Sequence, residues 1–208
     1  MLNLNEVMPH MDHPDGGELI YDTALKYARE LPPEYIFMEI GCWKGGSTMA
    51  IMQAVKDSGI DRWVWSVDPY GSMPFQLADE IQESADYNDT EVYPDAMYNM
   101  ASYAKQLGVK HYHWRMTSDD FMKTVETIDF YDKGKPITPK FGFVYIDGAH
   151  NCYVVEREML WLIDRMPKGD SMIVLDDLPY IDQHDVPIIK KAINEGLQDN
   201  FRGYWVVK

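Results

Sequence analysis

The sequence predicts an α/β fold in which a doubly wound, mainly parallel sheet is covered by helices on both faces. Three observations lead to this prediction. Apolar runs of strand length alternate with longer segments of helical periodicity along most of the 208 residues. The first apolar run is continuous, as in a strand that is buried on both faces. Polar residues or glycines follow the ends of the runs, where sheets of this kind bind their ligands.

Length, charge and cysteine content narrow the class of protein. A chain with 46% hydrophobic and 25% charged residues is expected to form one globular domain over 1–208. The net charge of −15 argues against nucleic acid as a partner, because phosphate binding needs a basic face. No apolar run is long enough to span a membrane and the N-terminus lacks signal-peptide features, so we expect a cytoplasmic protein. Cys42 and Cys152 fit reduced thiols rather than a disulfide framework.

The first expected elements are a helix, two strands and the helix between them. Residues 1–16 are expected to be irregular, and the apolar face of 17–31 predicts a helix that Pro32 and Pro33 end. Residues 71–92 are polar and acidic with weak periodicity, so we expect them to form an excursion that covers the site. The elements between these segments are a strand over 35–40, a helix over 49–55 and a strand over 63–67.

The second half of the chain continues this alternation. Because the carboxyl ends of parallel strands share one edge of the sheet, the residues that follow them are expected to meet there. Those residues are Gly41, Asp68, Thr117, Asp147 and Asp176. The expected helices cover 94–107, 151–166 and 186–197, and a further helix begins at about 120. The expected strands cover 111–116, 141–146, 171–175 and 203–207. A loop is expected over 133–140.

A glycine turn follows the first strand and has the pattern E-x-G-x-x-x-G-x-S, from Glu39 through Gly41 and Gly45 to Ser47. Strand, glycine turn and helix form the plan of a nucleotide-type binding loop. Glycine lets the backbone approach a ligand closely, and the N-terminus of the helix offers unpaired N–H groups. The pattern matches neither G-x-G-x-x-G nor the Walker motif, so a merely flexible turn is the alternative.

Two carboxylates accompany this turn. Asp68 ends the second strand, 27 residues after Gly41, where a doubly wound sheet places its ribose-binding acid. The alternative is that Asp68 serves only as a turn residue. Glu39 lies within an apolar strand and therefore needs a partner. It is expected to fix the glycine turn or to meet a ligand ammonium through water.

Three further carboxylates follow the fourth and fifth strands. Asp147, Asp176 and Asp177 are expected within reach of one ion, because neighbouring strands lie about 5 Å apart. Oxygen ligands favour Mg²⁺, Mn²⁺ or Ca²⁺ over zinc. His150 follows Asp147 by three residues and is a candidate general base. The alternative for the three carboxylates is helix capping and loop solvation. The alternative for His150 is that it caps the helix or packs structurally.

Four stretches together resemble class I S-adenosylmethionine-dependent O-methyltransferases. They are 39–47, 67–68, the run Asp147-Gly148-Ala149-His150 with Tyr153, and 169–177. The resemblance extends over about 17–180 and is strongest to the macrocin O-methyltransferase group, which methylates sugar hydroxyls with Mg²⁺. Catechol O-methyltransferase is similar more distantly.

The resemblance implies a Rossmann-like sheet of the class I methyltransferase type and a role for each motif residue. His150 would be the base, Asp147 would share in catalysis and cofactor binding, and Asp68 would bind the ribose. The other implied cofactor residues are Glu39, Gly41, Gly45 and Ser47 at the methionine part, and Pro69-Tyr70 with Thr117-Ser118 at the adenine. The implied metal ligands are Asp147, Asp176 and Asp177.

The predicted activity is methyl transfer from S-adenosylmethionine to a hydroxyl of a small molecule, a sugar or another polyhydroxyl or phenol, assisted by Mg²⁺ or another divalent cation. Only about thirty residues follow Asp177, so we expect a sheet shortened at the C-terminus relative to that family. The resemblance also implies a homodimer. The alternatives are an NAD-dependent oxidoreductase, which the missing G-x-G-x-x-G disfavours, a hydroxylase of methyltransferase fold such as cephalosporin hydroxylase, and a non-catalytic cofactor-binding protein.

Overall fold

The computed structural model describes residues 7, 10, 14–71, 92–132, 134–148, 152–167, 170–176 and 204–207. The expected helix over 186–197 and most of the expected excursion over 71–92 lie outside these residues. None of the helices in the described ranges is long and apolar enough to cross a membrane.

The described elements alternate as the periodicity predicts. The helices are α1 Pro14–Glu30, α2 Gly46–Ser58, α3 Val92–Leu107, α4 Ser118–Thr127 and α5 Cys152–Ile163. The strands are β1 Ile36–Ile40, β2 Trp63–Val67, β3 Lys110–Trp114, β4 Phe130–Asp132, β5 Lys135–Ile137, β6 Phe141–Ile146, β7 Ser171–Leu175 and β8 Tyr204–Val207.

Six of these strands form one sheet in the order β3-β2-β1-β6-β7-β8. All neighbours are parallel except β7 and β8, which are antiparallel. The chain reverses its direction of travel across the sheet between β1 and β6, so the switch point lies beside the glycine turn. Ligands bind at such a point in doubly wound sheets. The fold class expected from the sequence is therefore confirmed.

Two apolar layers cover the sheet because successive strand residues face opposite sides. Helices α1, α2 and α3 pack on one face, where Phe37, Val64 and Phe143 contribute from the strands. Helices α4 and α5 pack on the other face, where Met38 and Val144 contribute. Strand β1 is buried along its whole length, as its continuous apolar run predicts.

Helix α3 begins at Val92, close to the start predicted at about Pro94. Two other local predictions were wrong. Helix α1 begins at Pro14, within the segment expected to be irregular, because proline is well suited to the first turn of a helix. The segment expected as a loop over 133–140 contains β5, which pairs with β4 around Gly134.

Arg62 joins α1 to the sheet. It is 1% exposed, and its planar group lies over the ring of Phe37 with 4.6 Å between the guanidinium carbon and the ring centroid. Carbonyls at the end of a helix have no partner within the helix, so a buried arginine can satisfy several at once. Its Nη2 donates to the carbonyls of Ala28 at 2.7 Å and Leu31 at 2.9 Å, and its Nη1 to those of Pro32 at 3.4 Å and Tyr35 at 3.3 Å.

Candidate cofactor and active site

The glycine turn is held in place by two close approaches. Gly41 has φ +87°, and a Cβ built there would lie 2.0 Å from the carbonyl oxygen of Asp147. Gly45 has φ +88°, and its Cβ would lie 2.6 Å from Cγ of Met100 on α3. Only glycine combines a positive φ with such approaches at low energy. The turn therefore abuts the end of β6 on one side and α3 on the other.

Asp68 connects this turn to the turn after β2. Its Oδ2 accepts hydrogen bonds from the backbone N–H of Cys42 at 2.8 Å and of Trp43 at 3.2 Å. Its Oδ1 accepts from the N–H of Tyr70 at 2.8 Å. Asp68 is 1% exposed. Asp68 thus has a structural role that the sequence did not reveal, and its predicted ribose contact stays a prediction.

Glu39 is completely buried beneath the same turn. The hydroxyl of Thr48 donates to its Oε2, while its Oε1 has no hydrogen-bond partner among the described residues. Burial raises the pKa of Glu39 to about 8, against the influence of the Ser47 and Thr48 hydroxyls. An unpaired acceptor at this place fits a donor or a cation held by the turn.

Asp147 and Asp176 bring two carboxyl groups together across β6 and β7. The N–H of Asp147 donates to the carbonyl of Ile40 at 2.8 Å, and that of Asp176 to the carbonyl of Ile146 at 2.9 Å, so the sheet continues to both residues. Burial and then the charge of Asp176 raise the pKa of Asp147 well above its usual range. The hydroxyl of Tyr145 donates to Asp147 Oδ2 at 3.2 Å.

This pair fits part of a site for a hard cation. Carboxylate oxygens are preferred ligands of Mg²⁺, and a bound cation would remove the repulsion within the pair. The other two predicted residues, His150 and Asp177, lie outside the described residues. Within the described ranges no group of three or more His, Cys, Asp or Glu side chains is placed to hold a metal ion.

The predicted adenine residues differ in their surroundings. The ring of Tyr70 is fully buried, 5.1 Å from the ring of Tyr93 and 5.4 Å from that of His113. Thr117 is the N-cap of α4, and its Oγ1 accepts from the N–H of Asp120 at 3.1 Å. Ser118 is half-buried in the first turn of that helix. Thr117 and Ser118 therefore lie at the carboxyl edge, whereas the Tyr70 ring belongs to the core.

A row of polar side chains crosses the sheet one level below this edge. His113, Ser66, Glu39 and Tyr145 are register partners on four neighbouring strands. Ser66 Oγ lies 2.8 Å from Nε2 of His111 and 2.9 Å from Nδ1 of His113. Burial lowers the pKa of His111 to about 3 and of His113 to about 4, so both rings are neutral near pH 7.

Sequence reasoning missed several of these groups. Trp43 has φ +43° in the glycine turn, and no residue preference predicts a tryptophan in that conformation. Glu158 is 1% exposed on α5. For Glu158 a signal was present, because it falls at helical spacing between the apolar residues Val155 and Leu162.

Fold and turn together define a Rossmann-like protein, a class in which ligands bind at the carboxyl edge beside the switch point. The family model described as "Methyltransferase domain" matches residues 38–178, which is more than half of the chain. The chain therefore belongs to this methyltransferase family. The fold is that of class I S-adenosylmethionine-dependent methyltransferases, as the resemblance implied. No curated protein is significantly similar in sequence.

Solved structures of low sequence identity share the fold. CalS11, a calicheamicin methyltransferase, has a TM-score of 0.63 at 12% identity, with 98% of this chain and 82% of that chain covered. The Podospora anserina methyltransferase PaMTH1, solved with SAH bound, has a TM-score of 0.52 at 14% identity. The match covers 94% of this chain and 78% of that chain. The chain spans only 56% of Rv0187 from MTB and 61% of cmcI, two other matched structures.

Proposed function

We propose that this protein transfers a methyl group from S-adenosylmethionine to a hydroxyl oxygen of a small molecule. The observation that carries the proposal is the direct contact between the glycine turn and the acidic pair, since Gly41 packs against the backbone of Asp147. A donor held by the turn would therefore lie next to the carboxyl groups. Family membership supports methyl transfer. CalS11, also described as a TDP-rhamnose 3'-O-methyltransferase, supports oxygen as the acceptor.

The residues under the turn fit the polar groups of S-adenosylmethionine. The unpaired Oε1 of Glu39 suits its ammonium group, and the N–H groups at the start of α2 suit its carboxylate. Asp68 is the candidate for the ribose hydroxyls, because it follows β2 beside the glycine turn and a carboxylate oxygen can accept more than one hydrogen bond. The SAH bound to PaMTH1 supports the same cofactor class. Bound here, the cofactor would supply the methyl group on a positively charged sulfur.

Asp147 and Asp176, with Asp177, would hold a divalent cation, which would lower the pKa of the acceptor hydroxyl. His150 would accept the proton that this hydroxyl releases. The surrounding groups mainly position the reactants and stabilise charge. A sugar or a phenol is the acceptor class, in the style of the macrocin group.

Direct binding and turnover test the proposal. Fluorescence titration should show binding of S-adenosylhomocysteine and none of NADH. Methyl transfer to a panel of sugar nucleotides and phenols with added Mg²⁺ should then identify the acceptor. Binding of NADH alone would refute the proposal, and bound iron with hydroxylated product would point to the hydroxylase instead.

Replacing Asp68 with alanine or asparagine should weaken binding of S-adenosylhomocysteine at least about tenfold, because a charged contact to two hydroxyls is lost. Isothermal titration calorimetry measures the change. Asp164→Ala, at an exposed position after α5, is the control and should leave the affinity unchanged. A loss of affinity that appears only together with a loss of thermal stability would mean that the residue acts by bracing the two turns. Full affinity in both variants would remove Asp68 from the site.

Replacing His150 with alanine should lower turnover by at least about a hundredfold, since a positioned base contributes that much or more. The dissociation constant of S-adenosylhomocysteine should change little, because a base that takes the proton of the acceptor does not need to contact the cofactor. Single-turnover kinetics gives the rate of methyl transfer, and calorimetry on the same preparation gives the dissociation constant. A parallel collapse of cofactor binding would assign His150 a structural role.

A further inference from the structure

Glu158 is a buried carboxyl group that the proposed reaction does not use. It lies on α5 among the apolar residues Val155, Met159 and Leu162, and it is 1% exposed. Neither of its oxygens has a hydrogen-bond partner among the described residues. A buried polar group without a partner is unfavourable, so a donor close to Glu158 is a candidate for its interaction.

The group that Glu158 faces is the first turn of α4. The hydroxyl of Ser118 is close enough to favour its ionised form, although the two do not form a hydrogen bond of good geometry. Within the described ranges, the charged groups that influence Glu158 are Asp119 on α4 and Arg157 on its own helix. Burial, the largest influence, raises the pKa of Glu158 to about 7.

Two contacts fix this arrangement. Arg157 holds Asp119 with Nε at 3.2 Å from Oδ1 and Nη2 at 2.9 Å from Oδ2, which ties α5 to the first turn of α4. Thr117 already caps α4 through its own hydroxyl. Glu158 is therefore placed against Ser118 without serving as the cap of the helix.

We propose that Glu158 is a positioning residue that orients the Ser118 hydroxyl toward the 6-amino group of the cofactor adenine. This inference rests on the proposed function, in which Ser118 lies beside the adenine. An ionised Glu158 accepts the proton of the Ser118 hydroxyl, and the serine oxygen then presents its lone pairs to the amino group. Protonated Glu158 donates to the same oxygen instead, and the hydroxyl proton turns toward the ligand.

This arrangement makes the preference of the site for one purine base over another depend on pH. An amino group at the purine 6-position needs an acceptor, whereas a carbonyl there needs a donor. S-adenosylhomocysteine should therefore gain affinity relative to S-inosylhomocysteine, which carries the carbonyl, as Glu158 loses its proton. A carboxyl that merely supports the fold would change both affinities together and leave their ratio constant.

The test is the ratio of the two dissociation constants, measured by calorimetry between about pH 5.5 and about pH 8.5, which bracket the pKa of about 7. We expect the preference for the adenine compound to rise about five- to tenfold across this range, the effect of one hydrogen bond. Glu158→Gln, a neutral group of the same shape, should make the ratio independent of pH. Asp164→Asn removes an exposed carboxylate just after α5 and should retain the rise.

A second variant separates the mechanism from simple loss of structure. Ser118→Ala should also give a constant ratio, and adding Glu158→Gln to it should change nothing further, because both act through one hydroxyl. A ratio that stays constant in the wild type while S-adenosylhomocysteine binds would overturn this inference and leave the proposed function intact. Absence of binding to either compound would overturn both.

Discussion

Gly41→Ala is expected to lower the free energy of unfolding by about 3–5 kcal/mol. The new Cβ would lie 2.0 Å from the carbonyl oxygen and 2.4 Å from the carbonyl carbon of Asp147. Both are backbone atoms, so the ends of β1 and β6 have to separate. Strain from the positive φ adds to this clash. Small domains have only about 5–15 kcal/mol of stability, so the variant should lose much of it, as urea denaturation would show.

Gly59→Ala is the matched control for this substitution. Gly59 also has a positive φ, +73°, but a Cβ built there meets nothing within 4 Å. The alanine at this position should therefore cost only the backbone strain, about 1–2 kcal/mol. The difference between the two variants measures the close approach of the strands. Equal losses in both would show that the contact between Gly41 and Asp147 adds nothing.

Arg62→Met is expected to lower the free energy of unfolding by about 3–5 kcal/mol. The methionine fills most of the space but donates no hydrogen bond, so the carbonyls that end α1 lose their buried donors. Arg62→Lys keeps a charge, and we expect a smaller loss because one ammonium cannot reproduce the planar fork. Thermal unfolding followed by circular dichroism compares the variants directly.

Arg165→Met is the control for Arg62. Arg165 also donates to a helix carbonyl, that of Trp161 at 3.1 Å, and its guanidinium carbon lies 4.3 Å from the centroid of a Trp161 ring. Its ion pair with Glu126 is partly exposed. Interactions of this kind contribute under about 1 kcal/mol when water competes for them. A similar loss in both variants would mean that burial of Arg62 is not the source of its effect.

The sequence was sufficient to predict the sheet and several residues at its carboxyl edge, because both follow from local patterns. Apolar runs such as Phe141–Ile146 mark strands wherever they pair. The glycines at 41 and 45 signal a turn by their type alone. The same reasoning placed Asp147 and Asp176 together, since parallel strands end at a common edge.

The remaining features depend on contacts between distant segments. No local signal shows that Asp68 accepts hydrogen bonds from Cys42 and Trp43, because these depend on how the two turns face each other. The burial of Tyr70 depends on α3 covering it. The hairpin of β4 and β5 was missed because Lys135 and Pro136 have low strand propensity.

The contacts of Ser66 determine which ring nitrogen carries the hydrogen in His111 and in His113. A hydroxyl has one proton, so Ser66 can donate to only one of its two imidazole neighbours and must accept from the other; the sulfur of Met100, 3.8 Å away, is a weak acceptor. Donation to His113 would place that ring's hydrogen on Nε2, which is buried without a partner among the described residues. A buried N–H without an acceptor is less favourable than a buried lone pair without a donor. Nδ1–H of His113 therefore donates to Ser66 Oγ, and the Ser66 hydroxyl donates to Nε2 of His111. Both imidazoles are then Nδ1–H tautomers.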